Sequence, residues 1–164
     1  MKILLHTCCA PCLTWFVDSK IDLVSYFYNP NLYPEAEFVK RYFTLKNYAS
    51  AEKVPLVFDF DKSKTVAGDC SDCYEKRLRK TAEYAKKNGF ESFTTTLLIS
   101  PYQNHELIRK IGAEAGEEAG VKFFYRDFRD GYKRGRELSR QFQLYRQKYC
   151  GCEVSHDSTK KVTK

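Results

Sequence analysis

Short apolar runs alternate with longer amphipathic stretches along the chain. The apolar runs are rich in aliphatic and aromatic residues, and polar or turn residues follow each of them, which is the pattern of a β-strand. We therefore predict five strands, at Lys2–His6, Leu23–Tyr28, Pro55–Phe58, Ser92–Thr95 and Lys122–Phe124.

The stretches between these runs carry the periodicity and the boundary signals of helices. Proline suits the first turn of a helix, and aspartate or serine caps its start. On these signals we predict helices from Pro11 to about Ser19, from Pro34 onward, from Asp69 or Ser71 through Tyr84, after Pro101 to near Gly120, and from about Gly135 to Gln147.

The alternation of strand and helix determines the expected fold class. Strands that take turns with helices form a parallel sheet with right-handed crossovers, so we predict a single α/β domain with about five strands and helices on both faces. We assign residues 1–155 to this domain and 156–164 to a basic, flexible C-terminal tail. Ligands of such sheets bind beyond the carboxyl ends of the strands, which is where polar chemistry should be sought.

Composition indicates whether the protein spans a membrane and what kind of partner it binds. The chain has 164 residues, a net charge of +7 and 15% aromatic residues, and no apolar run is long enough to span a bilayer. We expect a globular protein with no membrane partner. The positive charge permits a polyanionic partner such as a nucleic acid.

Seven cysteines form three tight groups, and this clustering is the main chemical signal of the sequence. The groups comprise Cys8, Cys9 and Cys12, then Cys70 and Cys73, then Cys150 and Cys152. Thiolates are soft ligands for zinc and iron–sulfur centres, and grouping lets short loops deliver several of them to one point. The first group follows the first strand directly, so we expect the three groups to converge at the carboxyl edge of the sheet.

Disulfides, core packing and a structural zinc site are the alternatives to a redox metal centre for these cysteines. Disulfides fit poorly with an odd count and with an N-terminus that opens on a strand rather than a secretory signal, and both observations favour a reducing cytoplasm. Core cysteines would be scattered rather than grouped. A structural zinc site remains open, although four ligands suffice for it and the chain offers seven.

Polar residues near the cysteines are candidates for proton transfer or metal binding. Asp69 and Asp72 flank the middle cysteine pair, and either carboxylate suits a metal ligand or a proton source, with helix capping as the alternative role. His6 ends the first strand and is a third candidate, with a satisfied core histidine as the alternative.

Five short motifs, spread along the chain, together resemble those of a known protein family. It resembles the cobalamin-independent epoxyqueuosine reductases of the QueH type over nearly its whole length, through residues 5–12 (LHTCCAPC), 28–31 (YNPN), 70–74 (CSDCY), 93–101 (FTTTLLISP) and 145–152 (YRQKYCGC). The resemblance implies an iron–sulfur oxidoreductase that reduces epoxyqueuosine to queuosine at the wobble position of tRNA, the last step of queuosine biosynthesis. It also implies a fold of the adenine-nucleotide alpha hydrolase (HUP) type.

The resemblance also suggests cofactors and partners. We expect a [4Fe–4S] cluster held by three of the cysteines, and an additional mononuclear iron or zinc held by other thiolates and a carboxylate. The partners would be tRNA carrying epoxyqueuosine, bound through its anticodon stem-loop, and an unidentified electron donor. ATP use is not expected, because Thr7-Cys8-Cys9-Ala10-Pro11 occupies the place of the glycine-rich phosphate loop.

Substrate contacts are expected in two regions. The first comprises polar residues that follow strands at the carboxyl edge, namely Tyr28, Asn29, Asn31, Thr95 and Ser100. The second is a run of aromatic and basic residues from 123 to 136, which mixes stacking faces with cations as single-stranded RNA requires. Its expected RNA-binding residues, with one from the following segment, are Arg126, Arg129, Lys133, Arg134 and Arg146.

Two alternative functions remain open from the sequence. A tRNA sulfur-transfer enzyme of the same fold would also use cysteines and tRNA, but it would need to bind ATP. A zinc-stabilised RNA-binding module would be colourless and would lose its fold when the metal is chelated.

Overall fold

The computed structural model describes residues 2–61, 69–153, 155 and 157. Five strands are present in this part of the chain: β1 (Ile3–His6), β2 (Leu23–Phe27), β3 (Leu56–Phe58), β4 (Ser92–Thr95) and β5 (Lys122–Phe123). Each lies within one residue of its predicted bounds. The apolar runs therefore located the strands of the sheet correctly.

All strand pairs are parallel, and the order in the sheet is β3-β2-β1-β4-β5. The central strand β1 pairs on one side with β2 and on the other with β4, so that Leu5 lies between Ser25 and Thr94. The predicted α/β class is confirmed, and this strand order is consistent with a HUP-like fold. The connection changes direction between β1 and β4, and crevices for ligands form at such switch points.

Helices cover both faces of the sheet. They are α1 (Ala10–Asp18), α2 (Glu35–Ala51), α3 (Cys70–Lys87), α4 (His105–Ala119) and α5 (Tyr132–Gln141), with 3₁₀ turns at Thr96–Ile99 and Arg129–Gly131. α1 packs against α2 and α5, and α3 packs against α4. The strands β1 and β2 lie buried between these layers, with Leu4, Leu5 and Phe27 inaccessible to solvent.

The predicted last helix is wrong in its bounds. The sequence predicts it from about Gly135 to Gln147, but α5 begins at Tyr132 and ends at Gln141. Gln143 adopts a left-handed backbone conformation (φ 53°), and the amide of Leu144 donates back to the carbonyl of Ser139, which terminates the helix. The following residues therefore run as a non-helical segment toward the cysteines.

Two further expectations concern the ends of the chain and membranes. Residue 156 and residues 158–164, which make up most of the predicted tail, lie outside the described residues. Within the described part of the chain, no helix combines the length and the apolar character that crossing a membrane requires.

Candidate metal centre

The first cysteine group lies at the switch point between β1 and β4. The amide of Cys8, just beyond β1, donates a hydrogen bond to Oγ1 of Thr96 (3.1 Å), just beyond β4. The Thr96 hydroxyl in turn donates to Sγ of Cys8 (3.3 Å). The ends of two adjacent strands are thus joined at the sulfur, and this contact fixes Cys8 at the edge where the fold class places ligands.

Cys8, Cys9 and Cys12 form a compact three-thiol group. Their sulfurs all lie within 4.8 Å of one another, and Sγ of Cys8 is 3.7 Å from Sγ of Cys9. Cys9 occupies the N-cap position of α1, and Pro11 and Cys12 lie in its first turn, so the start of this helix holds the three thiols together. This arrangement of three soft donors can hold a metal ion.

Contacts among the three thiols shift their pKa values in different directions. Hydrogen bonds with Cys12 and Cys9 hold the pKa of Cys8 well below its usual range, although burial acts in the opposite direction. Hydrogen bonds with Cys8 and Cys9, together with burial, raise the pKa of Cys12. Cys8 is therefore the first of the group to become a thiolate, and its neighbours stabilise that charge.

The other four cysteines face the same cavity. This cavity has a volume of about 1010 Å³, and six cysteines line it: Cys8, Cys12, Cys70, Cys73, Cys150 and Cys152. The seventh, Cys9, lies behind them and receives a hydrogen bond from the side-chain amide of Gln147 (3.0 Å). All seven are free thiols in the structure, and none forms a disulfide. The predicted convergence of the three groups is what the structure shows.

Cys70, Cys73, Cys150 and Cys152 form a second, four-thiol group. Cys70 and Cys73 occupy the first turn of α3, one helical turn apart. Cys150 and Cys152 line the same cavity, and burial together with these neighbouring cysteines raises the pKa of Cys70. Four thiols from two distant segments therefore line the cavity that Cys8 and Cys12 also line.

The segment that carries Cys150 and Cys152 is held by a buried arginine of α2. The guanidinium of Arg41 donates to the carbonyls of Tyr149 and Cys150 (3.0 Å each) and to Oε1 of Glu37 (2.7 Å). Glu37 also accepts a hydrogen bond from the hydroxyl of Tyr145 (2.5 Å). Because Arg41 is only 2% exposed, this network works without competition from water and fixes the backbone of the segment.

Gly151 is required where this segment bends. Its φ of 118° lies in the region that favours glycine, and a Cβ there would come within 2.5 Å of Leu32 and 2.8 Å of Arg41. Its carbonyl accepts the amide of Tyr33 (2.7 Å). The bend therefore fits only a glycine, and it turns the chain so that Cys150 and Cys152 both line the cavity.

A second buried arginine, Arg77 of α3, also lines the cavity. It is 2% exposed, and its guanidinium donates to the neutral side-chain oxygen of Asn31. Within the described residues, no carboxylate lies within ion-pair distance of it. Burying a cation without an anion is costly, so its charge is best balanced by thiolates or another anion in the cavity.

The two predicted carboxylates differ in position. Asp69 lines the cavity, and its Oδ1 accepts the amide of Asp72 (3.1 Å), so it also caps α3. Asp72 is exposed in the first turn of α3 and does not line the cavity. Asp69 is therefore the better placed of the two for a contact with a metal or a substrate.

His6 is buried within the sheet and does not line the cavity. Its Nε2 lies 3.1 Å from the carbonyl of Tyr28, so Nε2 carries the proton, and Nδ1 accepts from the hydroxyl of Thr95 at 2.9 Å. Burial, together with the charge of Arg77, lowers the pKa of His6 to about 4. Both ring nitrogens therefore have hydrogen-bond partners inside the protein, as the alternative role of a satisfied core histidine requires.

Of the five polar residues predicted to contact substrate, one lines the cavity. This residue is Ser100, whose hydroxyl accepts the amide of Tyr102 (3.2 Å). Tyr28, Asn29, Asn31 and Thr95 are buried and bond within the protein. Asn29 donates to the carbonyl of Thr7 (3.0 Å), and the side-chain oxygen of Asn31 accepts from Arg77. These contacts hold the ends of the strands in place.

The predicted RNA-binding cations fall into two sets. Arg126, Arg129 and Arg134 pair with Asp130, Asp127 and Asp18, respectively. Lys133 is exposed on α5, and Arg146 lines a smaller cleft of about 420 Å³ that adjoins the cavity. The role of each in RNA binding stays a prediction, but only Arg146 lies beside the cysteines.

Three residues of the site have no clear signal in the sequence. Arg41 and Arg77 lie in amphipathic helices, where an arginine normally indicates a solvent-facing position. Gln147 donates to Cys9 and lines both the cavity and the cleft, yet its only signal is its place between two other motif residues.

The donor set fits a metal centre well. The site defines an α/β protein whose parallel sheet carries seven free thiols at its carboxyl edge, with two buried arginines beside them and a carboxylate at the rim, a donor set that can hold a metal. The sequence model of the family described as epoxyqueuosine reductase QueH matches residues 3–158 of the chain. The chain belongs to this family.

Relatives of this family in distant bacteria align over most of the chain. The protein named epoxyqueuosine reductase QueH of Thermotoga maritima is 39% identical, over 93% of this chain and 89% of its own. The proteins of the same name in Dehalococcoides mccartyi and Haemophilus influenzae are 33% and 34% identical. The alignments cover 94% and 97% of this chain, and 92% and 74% of the respective relatives.

Proposed function

We propose that this protein reduces epoxyqueuosine to queuosine at the wobble position of tRNA, as the last step of queuosine biosynthesis. Its membership of the epoxyqueuosine reductase QueH family supports this activity. The observation that carries the proposal is the convergence of six cysteines on one cavity, with the seventh directly behind them. A redox reaction on a bound nucleoside needs such a site, open enough for substrate and rich in metal ligands.

The metal centre is proposed to include a [4Fe–4S] cluster, with a mononuclear iron or zinc as a second group. The three-thiol group is one donor set, and the four-thiol group with Asp69 is the other. When bound, the cluster supplies electrons one at a time and the second metal supplies a Lewis acid. Loss of the epoxide oxygen as water, which leaves the alkene, consumes two electrons and two protons.

The remaining residues position and balance this centre. Arg77 contributes a buried positive charge beside Cys73 and opposes the rise in its pKa that burial causes. Arg41 fixes the carbonyls that flank the third cysteine group. Asp69 has one carboxylate oxygen in the helix cap, and the other is proposed to bind the second metal or to deliver a proton to the departing oxygen.

Metal analysis of the anaerobically purified protein tests this proposal. We expect about four iron and four sulfide per chain with a visible band that dithionite bleaches. Iron beyond that number would identify the second group as iron. One zinc without sulfide would contradict the redox mechanism and favour the zinc-stabilised RNA-binding module.

Cysteine variants connect the two thiol groups to activity. We expect Cys8→Ser, Cys70→Ser and Cys150→Ser each to lower the metal content and the yield of queuosine from tRNA that carries epoxyqueuosine. The iron-to-sulfide ratio of each variant shows which group holds the cluster. Full iron content and full activity in all three would refute the assignment.

A further inference from the structure

The cleft beside the cavity is connected to it and is large enough to bind a small ligand. Cys12, Tyr132 and Gln147 line both spaces, so the cleft opens directly onto the metal centre. Its volume of about 420 Å³ falls within the range of about 300–1,000 Å³ that is usual for small-ligand sites. A polymer with one residue in the cavity would therefore place a neighbouring residue in the cleft.

The cleft is positively charged, and its cations have no acidic partner in the part of the chain that the structure describes. Arg136, Arg146 and Lys148 line it, and none of them pairs with a carboxylate among the described residues. No carboxylate lies among the described residues that line the cleft. This contrasts with Arg126, Arg129 and Arg134, each of which has an acidic partner. Unpaired cations attract phosphate more strongly than paired ones, because no internal ion pair has to be broken.

An exposed aromatic ring lies at the junction of the two spaces. Tyr102 is 82% exposed, and its ring packs edge-on against Tyr132 at 6.2 Å. Its amide is held by the hydroxyl of Ser100. One face of the ring is thus open to solvent while the backbone below it is fixed. Aromatic rings presented in this way serve as stacking platforms for unpaired bases.

We propose that the cleft binds the nucleotide next to the modified one in single-stranded RNA. The base stacks on Tyr102, and the adjacent phosphates contact Arg136, Arg146 and Lys148. This proposal rests on the proposed function, since it takes tRNA as the substrate. It moves the main RNA contact from the ion-paired arginines of residues 126–134 to the cleft beside the metal centre.

RNA affinity tests the charged part of the cleft. The probe is a fluorescent anticodon stem-loop RNA, titrated with the metal-loaded protein at several salt concentrations. Replacing Arg136, Arg146 and Lys148 together by alanine should weaken binding at least about 10-fold and reduce the salt slope by about 2, or roughly 0.7 for each phosphate that is no longer neutralised. The charge-matched control replaces Lys46, Lys87 and Lys110, exposed lysines that line neither space, and should change the dissociation constant less than about 2-fold.

Tyr102 tests the stacking part separately. Tyr102→Ala should weaken RNA binding about 10-fold, whereas Tyr102→Phe should bind like the wild type, because stacking needs the ring and not the hydroxyl. Phe43→Ala serves as the control, since Phe43 is 51% exposed and lies on α2, away from both spaces. Equal losses in Tyr102→Ala and Phe43→Ala would overturn the stacking assignment.

Two results would overturn the cleft as the RNA site. One is unchanged RNA affinity in the Arg136, Arg146 and Lys148 variant. The other is a larger loss when Arg126, Arg129 and Arg134 are replaced together. The proposed function fails by a different measurement, namely the absence of epoxyqueuosine reduction by the iron-loaded wild type. The two failures are therefore distinguishable.

Discussion

Thr96 holds Cys8 at two points, because its hydroxyl accepts the amide of Cys8 and donates to the sulfur of the same residue. We expect Thr96→Val, which keeps the shape and removes the hydroxyl, to destabilise the protein by about 1–3 kcal/mol, since a buried amide loses its partner. It should also lower the metal content. Thermal unfolding and iron analysis measure both effects.

Thr96→Ser provides the matched control for this prediction. Serine keeps the hydroxyl and should retain most of the stability and of the metal. A valine variant as stable and as rich in iron as the wild type would show that the hydroxyl is dispensable.

Arg41 is predicted to be essential for the third cysteine group. Arg41→Lys keeps the charge but cannot reach Glu37 and the carbonyls of Tyr149 and Cys150 at once, so a buried network is broken. We expect a loss of about 3 kcal/mol in the free energy of unfolding and reduced metal binding. Denaturation and metal analysis test this.

Arg79→Lys is the control for Arg41, because Arg79 forms an ion pair with Glu75 at the same i, i+4 spacing on a partly exposed surface. Exposed pairs contribute about 0–1 kcal/mol, so little change is expected. Similar losses in both variants would mean that burial and the carbonyl contacts add nothing.

Arg77 is predicted to adjust the reduction potential of the centre. Arg77→Gln removes a positive charge beside the thiols, and the more negative reduced state is destabilised most. We expect the midpoint potential to fall by about 30–60 mV. Spectroscopic redox titration measures this, with Arg79→Gln at a partly exposed position of the same helix as the control. A potential equal to that of the wild type would separate Arg77 from the redox centre.

His6 is predicted to make stability depend on pH. Its pKa is about 4 in the folded protein and 6.5 when unperturbed, so the unfolded state binds the proton first as the pH falls. Its contribution to stability is present above pH 6.5 and is lost progressively towards pH 4. Between pH 7 and pH 5.5 the loss is about 1 kcal/mol, or roughly 2–4 °C in Tm.

His6→Gln isolates this effect from the other titrating groups. The variant cannot bind the proton, so its Tm should fall less than that of the wild type over the same interval. Parallel pH profiles in the two proteins would show that His6 does not titrate in this range.

The sheet was predictable because strands leave a local signal. β4 at Ser92–Thr95 matches its prediction at both ends, since Phe93 and the two threonines after it favour a strand and the turn residues Asn88 and Gly89 come shortly before. Asp69 was one of two predicted caps of α3, and it is the one that the structure shows. The clustering of cysteines likewise indicated a shared site, because the topology carries all three groups to one edge.

The features of the fold and of the site that the sequence did not predict depend on contacts between residues that are distant in the chain. The end of α5 is set by Gln143, and glutamine carries no signal for a left-handed backbone. The bond from Arg41 to Cys150 joins α2 to the far end of the chain, and nothing in a local pattern reports it. The sequence also could not distinguish paired from unpaired arginines, which is why the cleft became visible only in the structure.

The three cysteine groups come from widely separated parts of the chain, and this has a consequence for folding. A metal held by the four-thiol group would close one long loop, between Cys73 and Cys150. A cross-link across a loop of this length lowers the entropy of the unfolded chain by an amount equivalent to about 4 kcal/mol. The metal would then act as a reversible cross-link. Its removal would lower the free energy of unfolding, as reduction does for a disulfide-bonded domain.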